Sequence, residues 1–284
     1  MPQNLKGKML NLNKDGINYI VFRPSYPMDV FVDHYMIAKG HPAYSEERLF
    51  PNNEVELFFN LGDANQGQLL ADEPNLNFTT SVVSGLRSSF LRIFPGHLFH
   101  IGGIRFTLFG FYHLFHIPAT KIQDRNFQAD EVLGLEIKHL RQQLGDKTEA
   151  LEQITLMNAW IRSKTESGFH SALAWKKIDH FLRKPQFLIK ESLPEISGYS
   201  HKHSVHLITK MCGLPPKMVH RIYRLRNFFN YPNILTDHSW AQITYELGYS
   251  DQSHLIREFR LFTGFTPVEL LKNIPKDFAL KQLR

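Results

Sequence analysis

A chain of 284 residues, 43 % apolar and carrying 23 Phe and 10 Tyr, has material for two domains and is too aromatic to be disordered. Its single cysteine, Cys212, excludes an internal disulfide, and the N-terminus lacks the apolar core of an export signal, so a reducing cytoplasm is expected. The formal charge of +6 is unevenly held: residues 1–169 carry 16 Lys+Arg and 18 Asp+Glu, a net of −2, and residues 170–284 the remaining 17 and 9, a net of +8. A basic module behind a near-neutral one is what nucleic-acid binding by phosphate neutralisation leaves in a sequence.

To about Gly134 the chain reads mainly as strands. INYIVFRP, DVFVDHYMIA, VELFFNLG, SFLRIFPG and IRFTLFGF are short, aromatic and β-branched, with turn residues between them. They predict a small barrel or sandwich. The most apolar stretch, Phe94 to Ala119, holds four His, Arg105 and several Gly, and so is a strand region and no membrane span. His97, His100, His113 and His116 form two His-x-x-His spacings, with Asp130 and Glu131 downstream. On strands, residues three apart face opposite ways and no Cys accompanies them, so no metal ion is expected.

From Asp130 the period changes. Leu133, Ile137, Leu140 and Leu144, then Leu151, Ile154, Met157 and Ile161, predict two amphipathic helices broken at Gly145-Asp146. The expected organisation is α+β: a β-rich regulatory domain (1–134), a helical connector (135–168) ending near Glu166–Gly168, an all-α domain (169–275) and a polar tail (276–284).

The all-α domain contains the same supersecondary unit twice. Gly198-Tyr199-Ser200 recurs as Gly248-Tyr249-Ser250; Gly213 and Pro216 close the first copy, Gly264 and Pro267 the second; Leu193 and Ile243 each precede their Gly by five. Helix, tight turn at Gly, Ser cap and second helix is the layout of a helix-turn-helix, with Tyr placed to pack beneath the turn. In the second copy Leu255, Phe259 and Phe262 form a buried stripe, and Gln252, Ser253, Ile256, Arg257 and Arg260 lie away from it. Gln and Arg can pair bidentately with adenine and guanine edges.

The first copy is less regular. Lys202, Val205, His206 and Thr209 share one face, while Ser204 and Ile208 stand where the repeat has Leu255 and Phe259. Pro194 falls inside the supporting helix. Between the copies KMVHRIYRLRNFFNY predicts a helix on which Arg221 and Arg224 are candidate phosphate contacts and Arg226 a lesser one. No phosphate loop, nucleophile elbow or HExxH motif occurs, and Cys212 beside its turn reads as packing, so neither a cofactor nor an enzyme activity is expected.

The segment WAQITYELGYSDQSHLIREFRLFTGFTPVELL resembles the second helix-turn-helix of AraC/XylS-family transcription regulators. Ile243, Gly248, Tyr249, Ser253, Arg257, Phe259, Gly264 and Pro267 match that pattern; Thr244, Leu255 and Leu270 depart from it. The resemblance covers about 170–275 and implies two subdomains joined by a long helix, reading adjacent major grooves of double-stranded DNA. Carried over by position, the base-facing residues are Lys202, Val205 and His206, then Gln252, Ser253, His254 and Arg257. It further implies an N-terminal domain that senses a small-molecule effector or mediates homodimerisation, contact with RNA polymerase, and no membrane partner. The competing reading is a ligand-binding or enzymatic β-barrel whose helical domain has lost specific DNA binding.

Overall fold

Strand-forming residues of the N-terminal region pair as expected in a computed structural model that describes residues 5–68, 76–165, 169–184, 189–231 and 239–273. In chain order come β1 (Gly7–Lys14), β2 (Ile17–Pro24), a 3-10 turn (Met28–Val30), β3 (Val32–Gly40), β4 (Glu47–Leu49) and β5 (Glu56–Asn60). Next are β6 (Asn65–Gln68), β7 (Leu76–Phe78), β8 (Ser81–Ser84), β9 (Leu91–Phe94) and β10 (Phe99–Phe106). Helix α1 (Gly110–Phe115), a second 3-10 turn (Ala119–Lys121) and β11 (Asn126–Gln128) complete the β-rich region. One sheet runs β1-β2-β3-β10-β5-β8-β11 and the other β4-β9-β6-β7, with every pairing antiparallel.

Strand alternation divides the larger sheet into two faces. On β3, His34 and Met36 line a cavity between the sheets, whereas Tyr35 and Ile37 are buried in the hydrophobic core. That core is shared with the connector, α2 (Ala129–Leu133), α3 (Glu136–Gly145) and α4 (Ala150–Arg162), through Ile137, Leu140, Leu144, Ile154, Met157 and Ile161. The Tyr35 hydroxyl donates to Asn158 Oδ1 of α4 at 3.1 Å. The predicted break at Gly145-Asp146 falls between α3 and α4.

IRFTLFGF is not one strand. β10 ends at Phe106, and Leu108, Phe109, Phe111 and Leu114 are all buried, a spacing suited to a helix rather than to alternation. Gly110 starts that helix because a Cβ there would lie 2.0 Å from the Phe31 carbonyl oxygen.

The all-α region comprises α5 (Phe169–Leu182), α6 (Ile189–Ser197), α7 (His201–Cys212), α8 (Pro216–Phe229), α9 (Trp240–Glu246), α10 (Gln252–Thr263) and α11 (Pro267–Asn273). Pro194 lies inside α6, which spans nine residues. The boundary expected at Glu166–Gly168 and the tail 276–284 lie outside the described residues. The two regions are docked through the segment after β4: Phe50 stacks on Phe229 of α8 at 5.7 Å, and Asn53 Nδ2 donates to the Val219 carbonyl at 2.7 Å. Arg226 of α8 donates to the Asn52 carbonyl and to Glu54 Oε1, each at 2.8 Å.

Candidate nucleic-acid interface

Each half of the repeat turns where expected. Gly198 and Gly248 sit at φ 72° and 73°, a region that strains residues bearing a Cβ. The caps then differ. Ser200 Oγ accepts from the His203 N–H at 3.4 Å, but on α10 the cap is Asp251, whose Oδ1 accepts from the His254 N–H at 2.7 Å. Ser250, expected as that cap, instead donates its hydroxyl to Asp251 Oδ2. The preceding turn carries the chain one residue further before α10 begins, which hands the cap to the stronger acceptor. Tyr249 is buried beneath its turn, whereas Tyr199 is 48 % exposed and stacks edge-on to His203.

Helix α10 divides as its sequence predicts. Leu255, Phe259 and Phe262 are buried, with Phe259 4.3 Å from the Phe228 ring of α8. Gln252, Ser253, Ile256, Arg257 and Arg260 are exposed along the opposite face. On α7, Ser204, Ile208 and Met211 are buried, so the smaller Ser204 and Ile208 do serve as the inward stripe. Ser204 Oγ satisfies itself on the Ser200 carbonyl at 3.0 Å. Lys202 and His206 are exposed, and Val205 is half-buried against the core.

The cations assigned to α8 are placed otherwise. Arg224 is 8 % exposed; its guanidinium donates to the Gly248 carbonyl at 2.9 Å and to Glu258 Oε1 at 2.7 Å, and covers the Tyr249 ring. Arg221 Nε reaches the same Glu258 oxygen at 2.5 Å and lies over the Phe262 ring. Arg224, expected as a phosphate contact, is in this structure an internal tie between α8 and the second turn, and Arg221 is largely committed to the same carboxylate. His254 also leans inward, 3.5 Å from Glu258 and edge-on to Tyr249. Glu258 is the residue that sequence reasoning passed over. Its signal is an acid one position before Phe259, on the arc that carries the apolar stripe.

A second feature lies in the β-rich region. The cavity between the sheets has a volume of about 230 Å³ and is lined largely by apolar side chains, Val21, Met36, Phe58, Phe78, Leu91 and Ile101 among them. Its polar members include His34, Arg87 and Arg105, which no sequence motif singles out. Burial would raise the Glu56 carboxyl behind them, but Arg105 and Arg87 outweigh it and hold the group below the usual carboxylate range. Burial also lowers the His34 imidazole, in spite of its bond to Asp33.

The histidine spacings do not converge. His113 belongs to helix α1, His97 packs ring to ring with His41 at 4.7 Å, and His100 faces Gln153. Among the described residues no group of three or more His, Cys, Asp or Glu could hold a metal ion. Burial pushes the Cys212 thiol up to about 12, and Sγ donates to the Leu214 carbonyl. Among the described residues no helix is long and apolar enough to cross a membrane.

Residues 193–273 match the family model described as a helix-turn-helix domain, and residues 20–128 match a domain of unknown function (DUF6597). No curated protein matches the chain. The chain is similar to ToxT from Vibrio cholerae O395, 12 % identical with a TM-score of 0.41 over 84 % of this chain and 97 % of that one. A structure of that protein bound to (E)-4-(8-methylnaphthalen-1-yl)but-3-enoic acid gives 13 %, 0.41, 84 % and 98 %. The AraC-like transcriptional activator CuxR is 13 % identical, with a TM-score of 0.28 over 77 % of this chain and 82 % of that one. By its match to that family model, and by the two helix, glycine turn and helix units folded within it, the chain carries a helix-turn-helix domain over residues 193–273.

Proposed function

We propose that α10 leads sequence recognition, presenting Gln252, Ser253, Arg257 and Arg260 to the major groove, while Lys202 and His206 of α7 supply charge and placement. Val205 and His254 stand at the margins of this surface. The observation that supports the reading is the division of α10, whose apolar side is buried on α8 and whose outer side carries side chains able to pair with base edges. The β-rich residues 1–134 form the regulatory domain, 135–168 its connector and 169–275 the DNA-binding domain. The cavity receives a small, mostly apolar effector. Binding rather than catalysis is the activity proposed, and on DNA the chain acts through RNA polymerase, alone or as a homodimer.

The test is a titration of the full chain with duplexes from the region upstream of its own coding sequence, by fluorescence anisotropy at several salt concentrations. Binding that weakens steeply with salt, and that selects one duplex over scrambled competitors, is expected. Failure to bind any duplex at low salt would overturn the reading and leave a ligand-binding β-domain with a helical appendage.

A further inference from the structure

The two sheets end on unequal strands. β4, β7 and β11 are edges of three residues each, the short kind by which sheets avoid pairing with other chains. The fourth edge, β1, is eight residues long, and its register with β2 runs unbroken from Gly7 opposite Pro24 to Lys14 opposite Ile17. It contains no Pro and no bulge, and among the described residues it has a strand on one side only. Met9 and Leu10 are 47 % and 45 % exposed; no other large apolar side chain is exposed among the described residues of the strands.

The open edge can be read residue by residue. The Ser25 N–H donates to the Lys6 carbonyl at 2.7 Å, which puts the even-numbered residues of β1 in the hydrogen-bonded pairs with β2. Pro24, which has no N–H, accordingly stands opposite Gly7 in a pair that is not hydrogen-bonded. The backbone N–H and C=O groups of Gly7, Met9, Asn11 and Asn13 therefore point away from the sheet. An antiparallel strand joining this edge must bond to those four residues.

A second β1 can do so about a twofold axis at Met9, Leu10 or Asn11. An axis at Asn11 sets Lys8 against Lys14 twice, and an axis at Met9 pairs only Gly7 to Asn11. An axis at Leu10 pairs the whole run from Gly7 to Asn13: Gly7 bonds to Asn13, Met9 bonds to Asn11, and Lys8 faces Leu12. Leu10 then meets its own copy in a non-hydrogen-bonded pair, where side chains come closest. Lys6 and Lys14 approach only beyond the ends of that run, and Lys14 lies 3.6 Å from Asp15, which offsets its charge.

We propose that β1 is a homodimerisation edge, to which a second copy of the chain adds its own β1 antiparallel, about a twofold axis at Leu10. The longest register is free of facing like charges and closes the exposed Leu10 on itself, which favours a second copy over a foreign strand. The proposal deepens the homodimer of the reading above and rests on it only there. Its test contains no DNA, so its failure leaves recognition by α10 standing.

The experiment is sedimentation velocity of the full chain over a concentration series. Reversible dimerisation in the micromolar range is expected, because one pair of strands is a small interface. Leu10→Lys and Leu10→Glu each set like charges against each other on the axis, so each alone should dimerise severalfold more weakly, and an equimolar mixture should regain the dimer. Should either variant not fold, Leu10→Cys and Asn13→Cys make an independent comparison, since Cys212 is buried. Mild oxidation should link Leu10→Cys into a covalent dimer and leave Asn13→Cys, which faces Gly7, unlinked. A chain that stays monomeric at every concentration would overturn the proposal. So would a dimer that both charged variants leave intact, or cross-linking as ready through Asn13→Cys as through Leu10→Cys.

Discussion

At the scale of single residues, two arginines 33 positions apart have opposite assignments. Arg257 stands exposed on the outer face of α10, and Arg224 is spent inside the protein on Gly248 and Glu258. Arg257→Ala should cost about 1–3 kcal/mol on the preferred duplex and relax selection at one base position. Arg224→Ala should leave the salt dependence of DNA binding unchanged and lower folding stability by about 3 kcal/mol, since it strands part of a buried ion cluster. Anisotropy against salt and chemical denaturation separate the two; a salt slope reduced by about one unit in Arg224→Ala would restore it as a phosphate contact. His113 offers a pH test. Burial, with His116 adding to it, holds its imidazole down at about 4, and the side chain is 3 % exposed. The unfolded chain takes up that proton first, so the stabilising contribution is whole above about pH 6.5 and is lost as pH falls to about 4, roughly 3 kcal/mol in all. His113→Leu should flatten the unfolding midpoint over that interval, and a curve as steep as the unaltered protein's would exonerate His113.

At the scale of elements, the caps decide how firmly α7 and α10, the second helices of the two units, begin. Asp251 holds the first turn of α10 with a 2.7 Å bond, against 3.4 Å from Ser200 on α7. Asp251→Ala should therefore weaken DNA binding and lower the unfolding midpoint, while Ser250→Ala changes little; equal effects would return the cap to Ser250. Legibility in the sequence follows the same lines. The faces of α10, the break between α3 and α4 and most of the strands are legible there, because each rests on a local period that burial then obeys. Helix α1 is not, since Leu108, Phe109, Phe111 and Leu114 are apolar on every side and alternation carries no information there. Nor is the inward turn of Arg221 and Arg224, whose partner Glu258 lies 34 residues beyond Arg224. The charged wall of the cavity is half visible. Glu56 and Arg105 are lone charges inside aromatic strands, but only strand register shows that they are neighbours.

At the scale of the whole molecule, the β-rich and helix-turn-helix regions share polar contacts, including part-buried Arg226 with Glu54 and buried Asn53 with the Val219 carbonyl. They should unfold in one calorimetric transition, and Arg226→Met should separate it into two; two transitions in the unaltered protein would mean that docking is too weak to couple the regions. The loop from Phe50 to Glu54 grips α8, and Arg48 grips the Thr263 carbonyl at the end of α10. None of these attachments uses Lys202, His206, Gln252, Ser253, Arg257 or Arg260. The surface proposed to choose a DNA sequence is thus free to drift while the surface that joins the two regions stays fixed. A lineage carrying this architecture could be re-addressed to new promoters by changing a handful of outward residues, and would keep its old signal.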